Sequence, residues 1–252
     1  VVIKNCNISD YSQAQIYFNN VGGPNNAITN NTIAARTRTS LNGIWLSGTT
    51  TATTVANNTV FAAFNQLQIG INLASTTSST LTNNTVYTVA PGLMATGIML
   101  SQTTGITLTN NSVYATSGTL QNGIALSGTT GSTTINNNTL YGANPDLTFQ
   151  SSGAGNVVQN TVIGNTFPTK INMTWGPSAT GRVGVRAVTS APGDPASFTN
   201  ISKYVILSNS TAAWAFLNIS YTAADAANAD ENSLRMSKHN ATAWNTTSSS
   251  FS

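Results

Sequence analysis

Cysteine and charge are what this sequence has least of. One cysteine, Cys6, excludes an internal disulfide and a cysteine-based metal cluster. Only 6% of the 252 residues are charged, where an ordinary soluble domain carries roughly 25%. Nine basic and six acidic residues give a net charge of +3. They are too thinly spread to track phosphates, so nucleic acid is not expected as a partner. From Thr39 to Pro145 there is no Asp, Glu, Lys, Arg or His at all. The longest apolar stretches, such as Ala212 to Leu217, fall far short of the roughly 20 residues that span a bilayer, so no membrane insertion is expected. A basic n-region followed by an apolar h-region is also missing, so a secreted protein would have lost its signal before Val1.

Asn, Thr, Ser and Gly supply the polarity that charge does not, and they do so periodically. Asn-Asn-Thr-Ile-Ala begins at Asn30, Asn-Asn-Thr-Val-Phe at Asn57, Asn-Asn-Thr-Val-Tyr at Asn83, Asn-Asn-Ser-Val-Tyr at Asn110 and Asn-Asn-Thr-Leu-Tyr at Asn137. The steps are 27, 26, 27 and 27 residues. Apolar positions keep the same register: Ile28, Val55, Leu81, Leu108 and Ile135 form one column, and Ile33, Val60, Val86, Val113 and Leu140 a second. Two more follow the Gly-Ile doublets, Ile44, Ile71, Ile98 and Ile124, then Leu46, Leu73, Leu100 and Leu126. These residues alternate with Thr, Ser, Asn or Gly, the period of a strand with one buried face.

Fainter copies at Ile3, Asn5 and Ile8, and at Val158, Asn160 and Ile163, extend the array to about seven coils ending near Thr166. A coil cannot bury its own apolar face, so the coils must stack, about 4.8 Å apart. The pattern predicts an all-β protein with a right-handed parallel β-helix over residues 1–166. Helical solenoids are excluded because the units are rich in Thr, Val, Ile and Gly, which disfavour helix. Cys6, in the first coil, is read as a small buried apolar residue.

The recurring Asn-Asn-Thr and Gly-Ile-x-Leu phrases resemble the parallel β-helix repeats of the NosD-like type, found in secreted archaeal and bacterial surface proteins. That scaffold hosts lyases, hydrolases, adhesins and structural proteins, so the resemblance implies a fold before it implies a function.

At Thr166 to Pro168 the repeat stops, and six of the nine basic and four of the six acidic residues lie beyond it. Residues 167–252 are expected to form a small β-sandwich module. Its antiparallel strands are placed at Ile171 to Trp175, Arg182 to Val188, Tyr204 to Ser208 and Trp214 to Tyr221. A Thr222/Asp225 capping box predicts a short Ala-rich helix, and Leu234 to Trp244 a returning strand. The stretch from Trp214 to Trp244, with Tyr221-Thr222, Asp230-Glu231 and Ser233-Leu234-Arg235, resembles a β-sandwich module of archaeal surface proteins that often follows such repeats.

Little here can carry chemistry. Sugar-polymer hydrolysis needs two carboxylates within roughly 5 to 10 Å. Asp10 and Asp146 are five coils apart in the repeat, about 24 Å at the strand spacing. His239, the one histidine, has no nucleophile-elbow sequence and reads as a strand-surface residue. Asp230-Glu231 reads as a solvated cap, and the calcium-binding Gly-Gly-x-Gly-x-Asp repeat is absent. No catalytic residue, metal ligand or cofactor is expected.

Twelve Asn-x-Ser/Thr sequons are glycosylation candidates: Asn7, Asn30, Asn57, Asn83, Asn110, Asn137, Asn172, Asn200, Asn209, Asn218, Asn240 and Asn245. The five that belong to the repeat signature are expected to form an Asn ladder, each side-chain amide bonding to the coils above and below. A glycan is wider than one coil spacing, so modification is expected mainly on the second module, and it would place the protein outside the cell. Phe61, Tyr87, Tyr114 and Tyr141 form an aromatic column whose mutual stacking would stiffen the solenoid.

These features favour a non-enzymatic structural subunit of an extracellular, glycosylated cell-surface assembly, a filament, sheath or surface layer of archaeal type. Its partners would be copies of itself in a homopolymer and N-linked glycans. With no cap evident at either end, Val1, Val2 and Ile3 are the expected contacts of a head-to-tail assembly, in which the first coil meets a neighbour's second module. The alternative is a carbohydrate-binding adhesin using the Asn, Thr and aromatic wall.

Overall fold

The computed structural model describes residues 1–23, 25–35, 40–63, 66–89, 92–128, 131–151, 155–165, 168–175, 182–190, 201, 203–209, 214–230, 237–239 and 244–246. Coil one holds β1 (Val2–Lys4), β2 (Asn7–Ser9) and β3 (Ala14–Asn19), and coil two β4 (Asn26–Thr29), β5 (Thr32–Ala35) and β6 (Ser40–Ser47). Coil three holds β7 (Thr53–Ala56), β8 (Thr59–Ala62) and β9 (Gln66–Ala74). Coil four holds β10 (Thr80–Thr82), β11 (Thr85–Thr88) and β12 (Leu93–Ser101). Coil five holds β13 (Thr107–Thr109), β14 (Ser112–Ala115) and β15 (Thr119–Ser127). Coil six holds β16 (Thr134–Asn136), β17 (Thr139–Tyr141) and β18 (Leu147–Gln150), and the seventh has β19 alone (Val157–Ile163). The solenoid is therefore slightly shorter than the seven full coils expected.

Every third strand pairs in parallel, β1-β4-β7-β10-β13-β16-β19 on one face, β2-β5-β8-β11-β14-β17 on the second and β3-β6-β9-β12-β15-β18 on the third. The sequence columns are the hydrogen-bonded register: Leu81 stands opposite Val55 and Leu108, Val86 opposite Val60 and Val113, and Ile98 opposite Ile71 and Ile124. All these side chains are fully buried in one core. Continuous columns follow from a period that matches one circuit, because a slip by one residue would turn each apolar set outward.

The corner between the first two faces explains the Asn-Asn doublet. Its first residue takes a left-handed conformation, with φ of 56° at Asn30, Asn57 and Asn110, 54° at Asn83 and 53° at Asn137. Asn tolerates that region better than any residue with a larger side chain. The chain turns there in one residue, and the next strand starts two positions later.

The Gly-Ile doublets have a steric cause. A Cβ on Gly43 would lie 2.5 Å from both the carbonyl oxygen of Gly70 and Val60 Cγ1. A Cβ on Gly97 would collide with Val113 Cγ1. The third face therefore presses its backbone onto the Val column of the second, and only glycine fits between them.

Beyond coil seven the chain reverses. β20 (Thr169–Trp175) pairs antiparallel with β19, and β21 (Arg182–Val188) antiparallel with β18. β22 (Tyr204–Asn209) then pairs with β21, and β23 (Trp214–Ser220) with β20. These four strands fall where the alternating pattern puts them. They extend the solenoid's own sheets, and Ile171, Met173, Val183 and Val185 are buried in the same core cluster as Phe149 and Ile163. The expectation of no cap at either end is thus corrected for this end, where antiparallel strands cover the last coil.

Two further expectations are corrected. Residues 223–228 form turns, and no helix follows Thr222 among the described residues. The capping box itself forms, with the Thr222 amide and hydroxyl donating to Asp225 Oδ2 at 2.8 and 2.9 Å. Lys203 then ties Asp225 down at 3.0 Å, so the bonds close a turn instead of opening a helix. The single strand expected over Leu234 to Trp244 is a pair, β24 (Ser237–His239) antiparallel to β25 (Trp244–Thr246), with residues 234–236 outside the described set.

Gly97→Ala is expected to destabilise the protein by about 1–3 kcal/mol through overpacking. Gly22→Ala, with nothing within 4 Å of the added Cβ, is expected to stay within about 0.5 kcal/mol of the parent. Denaturant unfolding of both variants checks this.

Candidate functional site

The Asn ladder exists, one residue along from the positions expected. Asn31, Asn58, Asn84, Asn111 and Asn138 are buried, and the sequon residues Asn30, Asn57, Asn83, Asn110 and Asn137 are exposed. Asn31 Nδ2 donates to Asn58 Oδ1 at 2.9 Å, Asn58 to Asn84 at 2.9 Å, Asn84 to Asn111 at 2.9 Å and Asn111 to Asn138 at 3.0 Å. Each Nδ2 also donates to a carbonyl one coil back, as Asn84 does to Val55 at 2.8 Å. Each Oδ1 accepts in addition the backbone N–H of the preceding rung, as Asn111 does from Asn84 at 3.0 Å. The reason lies in the corner: its left-handed residue points outward, which leaves the following side chain facing in.

Cys6 is the first rung of this ladder and is exposed, which corrects its reading as a buried apolar residue. Its amide donates to Asn31 Oδ1 at 3.0 Å and its thiol to the Lys4 carbonyl at 3.2 Å. Thr161, fully buried after the left-handed Asn160, closes the series.

The other expected sites are scattered. Asn7 is exposed on β2, next to exposed Val1 and Val2 and half-buried Ile3. Asn172 and Asn218 stand directly opposite each other on β20 and β23, where Cβ atoms are ~5 Å apart. Asn172 Oδ1 also accepts the Asn160 amide at 2.8 Å. Asn209 and Asn245 lie on β22 and β25, and Asn200 and Asn240 fall outside the described residues. Glu231 is also outside them, and Asp230 is exposed.

Phe61, Tyr87, Tyr114 and Tyr141 stack as expected, with centroids 5.2, 5.4 and 4.9 Å apart and planes within 9°, 9° and 14°. Both faces of Tyr87 and of Tyr114 are covered by neighbouring rings, so the inner rings offer only their edges to a ligand. Burial, with Tyr114 beside it, raises the Tyr141 hydroxyl above its ordinary pKa of 10.0.

One group was missed by sequence reasoning. Asp146 stands in the column of Gly43, Gly70, Gly97 and Gly123, since Ile124 pairs with Leu147. A carboxyl therefore replaces glycine in the last complete coil, and it is 2% exposed. Burial pushes its pKa up from 3.8 to about 7, against the opposing pull of the Ala187 and Ala143 amides and of Arg186. The folded chain holds a proton that the unfolded chain releases, so this group draws stability down as pH rises from about 4 to about 7. The break of the Gly-Ile doublet into Asp146-Leu147 was the available signal.

Among the described residues no group of three or more His, Cys, Asp or Glu side chains could hold a metal ion. Among the same residues no helix is long and apolar enough to cross a membrane.

Asn84→Ala leaves ladder partners buried and unpaired, and is expected to cost about 3 kcal/mol. Asn83→Gly keeps the left-handed corner while removing the neighbouring sequon, and is expected to change stability by less than about 1 kcal/mol. Thermal or urea unfolding of the pair separates the two roles.

Comparison with curated proteins and with solved structures finds no match. Residues 1–167 match the family model described as right handed beta helix region. With three stacked parallel faces and that match over most of its length, the chain belongs to the right-handed β-helix family.

Proposed function

We propose that the chain is a non-enzymatic structural subunit of an extracellular, glycosylated cell-surface assembly, a filament, sheath or surface layer of archaeal type. The observation that carries this reading is the solenoid wall from Thr39 to Pro145. Its ladder amides are spent on one another and on the chain's own carbonyls, and from Thr39 to Pro145 it carries no Asp, Glu, Lys, Arg or His. Such a surface holds shape, and its hydroxyls have no carboxylate, imidazole or amine beside them to activate them.

Edge strands support joining of copies. Among the described residues β22 and β23 each pair on one side only. Edges of this kind add strands from a partner, and strand addition that does not close on itself propagates into a fibre.

Exposed asparagines in the repeat fit a glycoprotein. The five sequon corners repeat at each coil, so sugars at every one would crowd at ~4.8 Å spacing, and alternate coils leave ~10 Å. Of the facing pair Asn172 and Asn218, one glycan at a time fits. The adhesin reading is weaker, because the aromatic column presents covered ring faces.

Electron microscopy of the concentrated chain, together with intact mass of the native material, tests the proposal. Filaments or lattices and added hexose-sized mass are expected. Discrete monomers at high concentration, unmodified mass, or release of reducing sugar from a polysaccharide would contradict it.

A further inference from the structure

The glycine column ends at a cavity. Above coil six, between the corners at Gly142–Asn144 and Gly164–Asn165 and the strand end at Arg186–Thr189, a space of about 440 Å³ opens to solvent. Asp146 lines it, buried, and its Oδ1 has no hydrogen-bond partner. Arg186 lines the same space, half-buried. The two charges feel each other, yet the ion pair found among the described residues is Lys203 with Asp225 and not this one. An acid and a cation therefore share a cavity without touching.

A buried carboxyl oxygen without a partner is costly, and a half-buried guanidinium on the wall of an open cavity can receive an anion. An anion alone would satisfy Arg186 and leave Asp146 Oδ1 without a partner. A metal cation alone would satisfy Asp146 and meet repulsion from Arg186. A ligand carrying both signs answers both groups at once.

We propose that this cavity binds a small zwitterion of amino-acid size, its ammonium donating to Asp146 Oδ1 and its carboxylate accepting from the Arg186 guanidinium. The pairing is charge-assisted at both ends, and a guanidinium accommodates a carboxylate with two parallel hydrogen bonds. Asn144 and Asn165 stand at the cavity wall as neutral donors and acceptors for the ligand's remaining polar atoms. The site lies at the joint where the parallel coils hand over to antiparallel strands, away from the repeat wall.

Isothermal titration of the full chain above pH 7, where Asp146 has given up its proton, tests this with glycine, β-alanine and γ-aminobutyrate, which space their charges progressively further apart. Acetate and methylammonium serve as half-ligands. At least one zwitterion is expected to bind with a Kd below ~10 mM. Its affinity is expected to fall at least tenfold in Asp146→Asn and in Arg186→Gln, with both variants shown to be folded by thermal unfolding, while the half-ligands do not bind measurably. Failure of all three zwitterions, binding of acetate as tight as theirs, or affinity unchanged in both variants would overturn the proposal.

Discussion

Everything in this molecule hangs on a buried amide repeated once per circuit. Asn84 Nδ2 reaches back to the Val55 carbonyl and forward to Asn111 Oδ1, while Asn111 Oδ1 also takes the Asn84 amide. Each rung thus satisfies polar groups of three coils, and none can leave without orphaning its neighbours. The rung also sets register, because an inward Asn has a partner only when the coils above and below present the same corner. Once the corner is in register, the Leu81, Val86 and Ile98 columns are in contact automatically, and the apolar burial that drives folding follows.

Glycine completes the constraint on the opposite side. The third face lies so close to the second that Gly43, Gly70 and Gly97 have no room for a side chain, and a Cβ on Gly123 would strike the Asp146 backbone of the next coil. Amide ladder and glycine column together tie the cross-section of the coil to a narrow range of shapes. That narrowness explains why the wall repeats so uniformly, and why departures from it concentrate at the ends. Cys6 replaces Asn at the first rung and Thr161 at the last, while Gln15 and Asp146 flank the glycine column. Gln15 is satisfied by Ser40 and the Tyr11 backbone, whereas Asp146 keeps one oxygen free beside a cavity.

The fold was legible because a solenoid writes its register into the sequence: one step of 26 or 27 residues gives the strand pairing directly. The four antiparallel strands after Thr169 were legible from alternation. What they pair with was not, since nothing local says that β20 and β21 continue β19 and β18. The Thr222/Asp225 box was visible, but the Lys203 contact that turns it into a closed turn is made across 22 residues of sequence. The ladder was assigned to the wrong Asn of the doublet, because only the backbone angle decides which of two identical side chains faces in. Asp146 was seen as a lone acid and not as the occupant of a glycine position.

Hydrogen exchange at the backbone amides of Asn58, Asn84 and Asn111 bears most directly on the ladder. These amides sit at corners, and each donates to the Oδ1 of the next rung at 3.1, 3.0 and 2.9 Å. If the amide column holds the coils in register, they exchange as slowly as the strand amides on either side. Exchange at the fast rate of exposed turns, with the strands still protected, would show that the coils stack without it.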